Sequence, residues 1–149
     1  MKLEIPRPLK AEHDELHTEL AAAAKAGGRT GEAARAVADV LHPHFLKEEA
    51  YALPPLGLLA SLAQGRVGCQ MADVLEMTDK LERELPTMIA EHKKIVAALK
   101  KLVDAANAEK KPEIARLADK LMLHADTEEK VSYPTALLIG HYVRAKLTA

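Results

Sequence analysis

The sequence has few aromatic residues, a single cysteine and no long uncharged stretch, and each shortage excludes a class of protein. Aromatic residues make up 3% of the 149 positions, with no Trp and one Phe. Cys69 has no second cysteine to pair with, which argues against a disulfide-stabilised secreted domain and suits a reducing compartment. No uncharged run approaches the roughly 20 residues that span a bilayer, and the first residues lack the apolar segment of a signal peptide. We therefore expect a cytoplasmic protein with no membrane partner.

Charge of either sign is not in excess. The 21 Lys and Arg residues and 22 Asp and Glu residues are interspersed and give a formal net charge of -1, so no basic stripe recommends nucleic acid as a partner. The abundant residues are hydrophobic, at 48% of the chain, and most of these are Ala and Leu, which favour helices. The length suits one domain over residues 1–149. We predict a single all-α domain.

Proline, glycine and apolar spacing divide the chain into four predicted helices. Their expected ranges are about Pro8 to Ala26, Gly31 to Gln64, Met71 to Asn107, and Pro112 to Tyr133 or beyond. Proline lacks a backbone donor and is expected to kink or end a helix, which applies here to Pro43, Pro54, Pro55 and Pro86.

An internal repeat organises these helices. The pair Glu12-His13 recurs as Glu91-His92, and HFLKEEAYALP (44–54) recurs as HADTEEKVSYP (124–134), at offsets of 79 and 80 residues. The halves cover about residues 8–65 and 71–137, and each is a helical hairpin that cannot bury its apolar face alone. We therefore predict an antiparallel up-down-up-down four-helix bundle with a pseudo-twofold axis.

The repeated residues predict a metal site in the bundle core. In each half a histidine precedes a glutamate by four residues, so both side chains lie on one face of the same helix. The other helix of each half adds one more histidine. The candidate ligands are His13, His44, Glu48, His92, His124 and Glu128. Burying four imidazoles and two carboxylates without partners would cost roughly several kcal/mol, because these groups lose their contacts with water. A bound metal ion replaces those contacts.

Ligand counting favours a pair of ions. Two His nitrogens and one oxygen from each of two bridging carboxylates give each ion four bonds, so an oxo or hydroxo bridge makes five and leaves a position for a small ligand. Mixed nitrogen and oxygen ligation with open positions points towards two iron ions, with manganese next. Zinc usually takes four ligands and often thiolate, which Cys69 alone cannot provide.

The order of these residues resembles the hemerythrin-like HHE cation-binding family. The similarity runs from Glu12 to Pro134, and the doubled H-x-x-x-E-E followed by proline is typical of the family. It implies a non-haem di-iron centre bridged by the two repeated glutamates, Glu48 and Glu128. It also implies that one ion is bound by His13 and His44 and the other by His92 and His124.

The sequence departs from oxygen-carrying hemerythrin on the third helix. That protein has an H-x-x-x-H motif there, whereas this chain has Val96 four residues after His92. The only H-x-x-x-H here joins His13 to His17 on the first helix. The departure argues against reversible oxygen transport.

Two further residues at the predicted site have two interpretations each. His17 lies one turn beyond His13 on the same face, so it is either a third imidazole on that ion or a side chain beside the ligands or in a channel. Tyr51 lies three residues after Glu48 on the expected inward face, where it either reaches iron or a bound ligand through its phenol or packs in the core. For Tyr133 we expect packing.

Three neighbours of the candidate ligands are expected to play minor parts. Glu49 and Glu129 directly follow the repeated glutamates and project about 100° round the helix, which places them beside the ligands or on the surface. His42 is separated from His44 by a proline and is expected to be a surface or packing residue.

Three functions remain open at this point. The first is a di-iron protein that binds or reacts with dioxygen, peroxide or nitric oxide, as a sensor, scavenger or store, with peroxide disproportionation or ferrous oxidation as conceivable reactions. The second is an iron- or redox-responsive regulatory module without turnover, whose folding depends on metal. The third is a structural bundle that holds zinc or nothing.

Overall fold

The computed structural model describes all 149 residues as helices and short connections, without a β-strand. The α-helices are α1 (Arg7–Ala24), α2 (Gly28–Lys47), α3 (Leu59–Ala63), α4 (Asp73–Ala108), α5 (Pro112–Thr127) and α6 (Tyr133–Leu147). The four long arms are α1, α2, α4 and the nearly continuous α5 and α6. The all-α four-helix bundle is confirmed.

Neighbouring arms pack in chain order. Helix α2 lies against both α1 and α4, α4 lies against α5 and α6, and α1 closes the ring against α5. At the first corner, Gly27 and Gly28 have φ of +72° and +63°, values that residues with a Cβ rarely adopt. They lie between the end of α1 at Ala24 and the first turn of α2, which begins at Gly28. None of the helices combines the length and the apolarity needed to cross a membrane.

Prolines inside the long helices act differently from the two prolines at the end of the second arm. Pro43 lies inside α2 and Pro86 inside α4, and both helices continue through them, so of the two expected effects, a kink or an end, neither proline has the second. The second arm is interrupted before Gln64, as the expectation for Pro54 and Pro55 allowed. Its α-helical part ends at Lys47, and a 3-10 turn begins at Pro54, because two successive prolines cannot donate to the helical ladder.

A π-helical turn lies at the same place in each half. The turns are Glu48–Ala52 and Glu128–Ser132, and in the first the Leu53 N–H donates to the Glu48 carbonyl five residues earlier, at 2.8 Å. Each turn therefore begins at a repeated glutamate. A π turn includes one more residue than an α turn, so the residues that follow face a different direction from that expected of a regular helix.

Two apolar clusters fill the core and a polar layer separates them. One cluster is built mainly from Leu and Ala of α1, α2, α4 and α5, and includes Leu16, Val37, Phe45, Ile95, Leu102 and Leu121. The other includes Tyr51, Leu53, Leu81, Met88, Tyr133 and Ile139. Along each arm the candidate ligands fall between the residues of the two clusters, so bulk water is distant from them on both sides along the bundle.

Candidate metal centre

The polar layer is built from the six repeated side chains that the sequence singled out. Five of them are at most 3% exposed, and Glu48 is fully buried. The sixth, His124, is partly buried. Side chains of this kind are rarely buried without partners, so the layer requires an explanation other than packing.

The six residues form two groups that share both glutamates. His13 and His124 lie with the two glutamates in one group, and His44 and His92 lie with them in the other; within each group one ligand atom from every residue is within 4.8 Å of the others. We call these the His13 group and the His44 group. Glu48 and Glu128 thus lie between two positions that could each hold an ion.

The expected division of the histidines was wrong. His13 pairs with His124 and not with His44, and the ring centroids of His13 and His124 are 5.1 Å apart, while those of His44 and His92 are 4.5 Å apart. The pseudo-twofold axis exchanges the two halves of the chain. It permits either division of the histidines, because in both divisions the axis maps the ligands of one ion onto the ligands of the other. The structure has the division in which His13 of α1 lies beside His124 of α5 and His44 of α2 lies beside His92 of α4.

Several polar atoms that face the two groups have no hydrogen-bond partner. They are Nε2 of His13, Nε2 of His124, both carboxylate oxygens of Glu48 and one carboxylate oxygen of Glu128. Such atoms are rare in folded proteins, because each costs about 1–3 kcal/mol when left unpaired. All five are acceptors or lone-pair donors, and a bound cation is the partner that satisfies all of them.

The contact between His44 and Glu48 supports the same conclusion. Nε2 of His44 lies 2.5 Å from a carboxylate oxygen of Glu48, which nevertheless makes no hydrogen bond. Nδ1 of His44 carries the ring proton, as the next contacts require, so Nε2 offers a lone pair to the Glu48 oxygen. Two lone pairs at this distance repel one another unless a proton or a metal ion lies between them. The residues therefore fit a metal ion.

Each of the four imidazoles donates its Nδ1 proton to a carboxylate of a different helix. The pairs are His13 with Glu49 (3.4 Å), His44 with Glu91 (3.0 Å), His92 with Glu129 (2.9 Å) and His124 with Glu12. We call these glutamates the outer carboxylates. A carboxylate at Nδ1 fixes the ring so that Nε2 faces inward with its lone pair free, which is the form of histidine that binds metal.

The outer carboxylates form a closed ring around the bundle. The contacts run from α1 to α5, from the end of α5 to α4, from α4 to α2 and from the end of α2 to α1. Glu49 and Glu129 were expected beside the ligands or on the surface, and they lie beside the ligands. Glu12 and Glu91 were noted only as landmarks of the repeat; their position directly before a histidine in both halves was the signal for their role.

Burial and mutual repulsion set the charges of the two shared glutamates. Loss of water and the neighbouring Glu128 charge hold the pKa of Glu48 well above its usual value. For Glu128 burial acts in the same direction, but its close polar contacts with Glu48 and the surrounding histidines outweigh burial and hold its pKa well below its usual value. Without metal the pair therefore retains one proton, which metal binding must displace.

The tyrosine at the site is Tyr133, and of the two interpretations of Tyr51 the structure has the one in which Tyr51 packs in the core. The Tyr133 hydroxyl lies 3.2 Å from Nε2 of His44 and 3.2 Å from Nε2 of His92. Tyr51 instead directs its hydroxyl to the sulfur of Met88, at 3.6 Å, because the π turn rotates it away from the predicted direction. Packing alone, as expected for Tyr133, is therefore not its role.

His17 belongs to neither group. Its side chain is exposed, and its ring lies beside that of His42, which is exposed as expected. Of its two interpretations, the one that placed it in a channel is closer, because His17 lines a cleft of about 160 Å³ that His13 also lines. We call this the His13 cleft.

The pseudo-twofold axis places a second cleft on the opposite side. It is lined by His92, Val96, Met122 and Glu129 among others and measures about 420 Å³. We call this the His92 cleft. Val96 and Met122 occupy in it the positions that His17 and His42 occupy in the His13 cleft.

Comparison with known proteins supports a metal-binding role. The chain matches the sequence family described as "Hemerythrin HHE cation binding domain" over residues 4–136. No curated protein and no solved structure matches the chain. The match covers all six candidate ligands and all four outer carboxylates.

Proposed function

The chain belongs to the hemerythrin HHE cation-binding family, and from this premise we propose that it holds two iron ions and uses them to bind or react with dioxygen, peroxide or nitric oxide. The observation that carries the proposal is the set of five unpartnered buried atoms that face the two groups. The role we propose is that of a sensor, scavenger or store.

The ligands of the two ions follow from the two groups. We assign His13 and His124 to one ion and His44 and His92 to the other. Each shared glutamate would give one carboxylate oxygen to each ion. Histidine and carboxylate ligands with positions left free favour iron over zinc. Bound iron supplies redox chemistry and an open position for a small ligand.

The chain's own residues prepare the two positions for this chemistry. The apolar clusters exclude water from both ends of the polar layer. Tyr133 offers a phenol O–H beside the His44 group, and burial together with the charges of Glu48 and Glu128 raises its pKa, so it stays a neutral donor. The pseudo-twofold counterpart of Tyr133 is Leu53, which has no donor. The two positions therefore differ, and we place the small ligand on the Tyr133 side.

Metal analysis with an absorption spectrum tests the proposal. We expect two iron ions for each chain and near-ultraviolet absorption from a ferric pair. A colourless protein with one zinc per chain would contradict it.

A regulatory module without turnover is the second candidate. It is favoured by the fact that each group takes one histidine from each half of the repeat, so metal occupancy is tied to the packing of one hairpin on the other. Peroxide consumption by the iron-loaded chain separates the two candidates. Steady turnover favours a scavenger, and a metal-dependent structural change without turnover favours the regulatory module.

The phenol of Tyr133 gives a prediction about ligand binding. In Tyr133→Phe we expect iron content to stay unchanged and the affinity for nitric oxide or azide to fall by about 10- to 100-fold, since one hydrogen bond to a charged or polarised group contributes about 1.5–3 kcal/mol. Titration followed by absorption measures this. Tyr51→Phe is the matched control and should bind like the parent. Equal affinities for the parent and Tyr133→Phe would show that the phenol only packs.

The outer carboxylates give a prediction about metal affinity. Glu129→Gln removes the charge that orients His92, so we expect metal to bind about 10- to 100-fold more weakly while the fold is retained. Competition with a chromophoric chelator measures the change. Glu32→Gln, on an exposed face of α2, is the control. If both variants bind metal equally well, the contact at His92 has no role in binding.

A further inference from the structure

The exposed rings of His17 and His42 form a pair at the His13 cleft, outside the two groups. His17 comes from α1 and His42 from α2, and their ring centroids are 5.1 Å apart with the planes tilted by 52°. Neither ring has a hydrogen-bond partner or a salt bridge within the chain. We call them the outer histidine pair.

The spacing of the pair suits shared coordination of one ion. Imidazole nitrogens bind zinc at about 2.0–2.1 Å, and two rings on a tetrahedral ion then have centroids about 5 Å apart. The pair has this spacing, and so do His13 and His124, whose centroids are also 5.1 Å apart. Two helices thus present two imidazoles at the surface with the centroid spacing of the inner pair His13 and His124.

The charges at the cleft favour a cation. Asp14 and Glu49 line it together with one lysine, Lys10, whose ammonium lies 2.9 Å from Asp14 and 3.1 Å from Glu49. Two carboxylates and one ammonium leave a net charge of -1 beside two imidazoles. Glu49 is also the outer carboxylate of His13, so the same surface connects the outer pair to the His13 group.

Only one half of the repeat has this pair. The corresponding residues of the His92 cleft are Val96 and Met122, which bind hard or borderline cations poorly. Because Val and Met are accepted at these places in the other half, packing of the helices does not require histidine there. The histidines are an addition to one side of a symmetric framework.

We propose that His17 and His42 form a third site, for a divalent transition-metal ion, at which metal docks before it passes along the His13 cleft to the inner groups. The binding part stands on the geometry of the outer pair. The docking part rests on the proposed function, because it requires that the inner groups take up metal. His17 lies one helical turn from His13, so the ion has about 5.4 Å of helix to travel between the two.

The variant His17→Val/His42→Met tests the site, because it gives the His13 cleft the residues of the His92 cleft. Calorimetric titration of the metal-free full-length chain with Zn²⁺ should reveal three equivalents in the parent and two in the variant. Circular dichroism and thermal unfolding establish that the variant is folded. Three equivalents in both chains, or two in both, would overturn the site. Loss of one of the two tightest equivalents would also overturn it, because His17 would then be an inner ligand.

The rate of loading tests docking. With Co²⁺ at limiting concentration, the absorption of the filled inner groups should rise several-fold more slowly in the double variant and reach the same end point. An unchanged rate with the third equivalent lost would overturn docking and leave the site. If the inner groups take no metal in either chain while the parent alone binds one equivalent, the proposed function fails and the outer site stands.

Discussion

The Glu48→Gln variant is expected to bind neither ion and yet, without metal, to be more stable than the parent chain at neutral pH. Glu48 is fully buried, both its oxygens are unpartnered, and it faces the charge of Glu128. Glutamine has the same shape and is neutral without taking up a proton, and its amide can donate to the Glu128 carboxylate. A gain of about 1–3 kcal/mol is expected from such a change.

The sign of this effect depends on pH. The pKa of Glu48 is raised in the folded chain from its usual value of 4.5, so folding retains a proton that the unfolded chain releases. The parent therefore loses stability as the pH rises above 4.5 towards the folded pKa, and the variant does not. The advantage of the variant should disappear below pH 4.5. Denaturant unfolding of metal-free protein at pH 4 and pH 7 measures both values.

Metal content completes the test of the shared glutamates. Each of the two variants, Glu48→Gln and Glu128→Gln, should lose both ions, because each glutamate belongs to both groups. Glu32→Gln, which removes an exposed carboxylate, should retain the metal content and stability of the parent. Loss of one ion only, from either variant, would argue for two independent sites.

Loading the parent chain with metal is expected to raise its unfolding temperature by about 10–20 °C. Each ion present at 100 times its dissociation constant adds about 2.7 kcal/mol, and each kcal/mol corresponds to about 2–4 °C in a chain of this size. Differential scanning calorimetry before and after treatment with a chelator measures the shift. Glu48→Gln should give nearly the same temperature with and without metal. A parent chain that unfolds at one temperature in both states would contradict the assignment of the two groups.

The sequence was sufficient for the fold and for the set of residues that the polar layer brings together, because both depend on local spacing. His44 and Glu48 are four residues apart, so their place on one helix face follows from helix geometry, and the repeat then places His124 and Glu128 in the same way. The repeat also indicated the bundle, since two matched hairpins have one simple way to bury their apolar faces.

The features that could not be predicted from the sequence depend on contacts between helices and on irregular backbone. The division of the histidines was ambiguous because the pseudo-twofold axis allows two answers. The sequence left Tyr51 with two interpretations and gave Tyr133 packing alone, because the π turns at Glu48–Ala52 and Glu128–Ser132 change the direction of the residues that follow, and no residue type marks a π turn reliably. The outer carboxylates were missed in part because Glu12 and Glu91 reach histidines about 110 and 50 positions away in the chain.

The division of the histidines between the halves also bears on how such a chain arises. Each hairpin holds one histidine of the His13 group, one of the His44 group and one shared glutamate. A hairpin on its own therefore has no complete set of ligands, whereas two identical hairpins related by a true twofold axis would have two complete sets. An ancestral dimer of single hairpins could have bound metal before any duplication joined them. Within one chain each half is free to differ from the other, and Tyr133 opposite Leu53 and His17 opposite Val96 are differences that a dimer of identical hairpins cannot have.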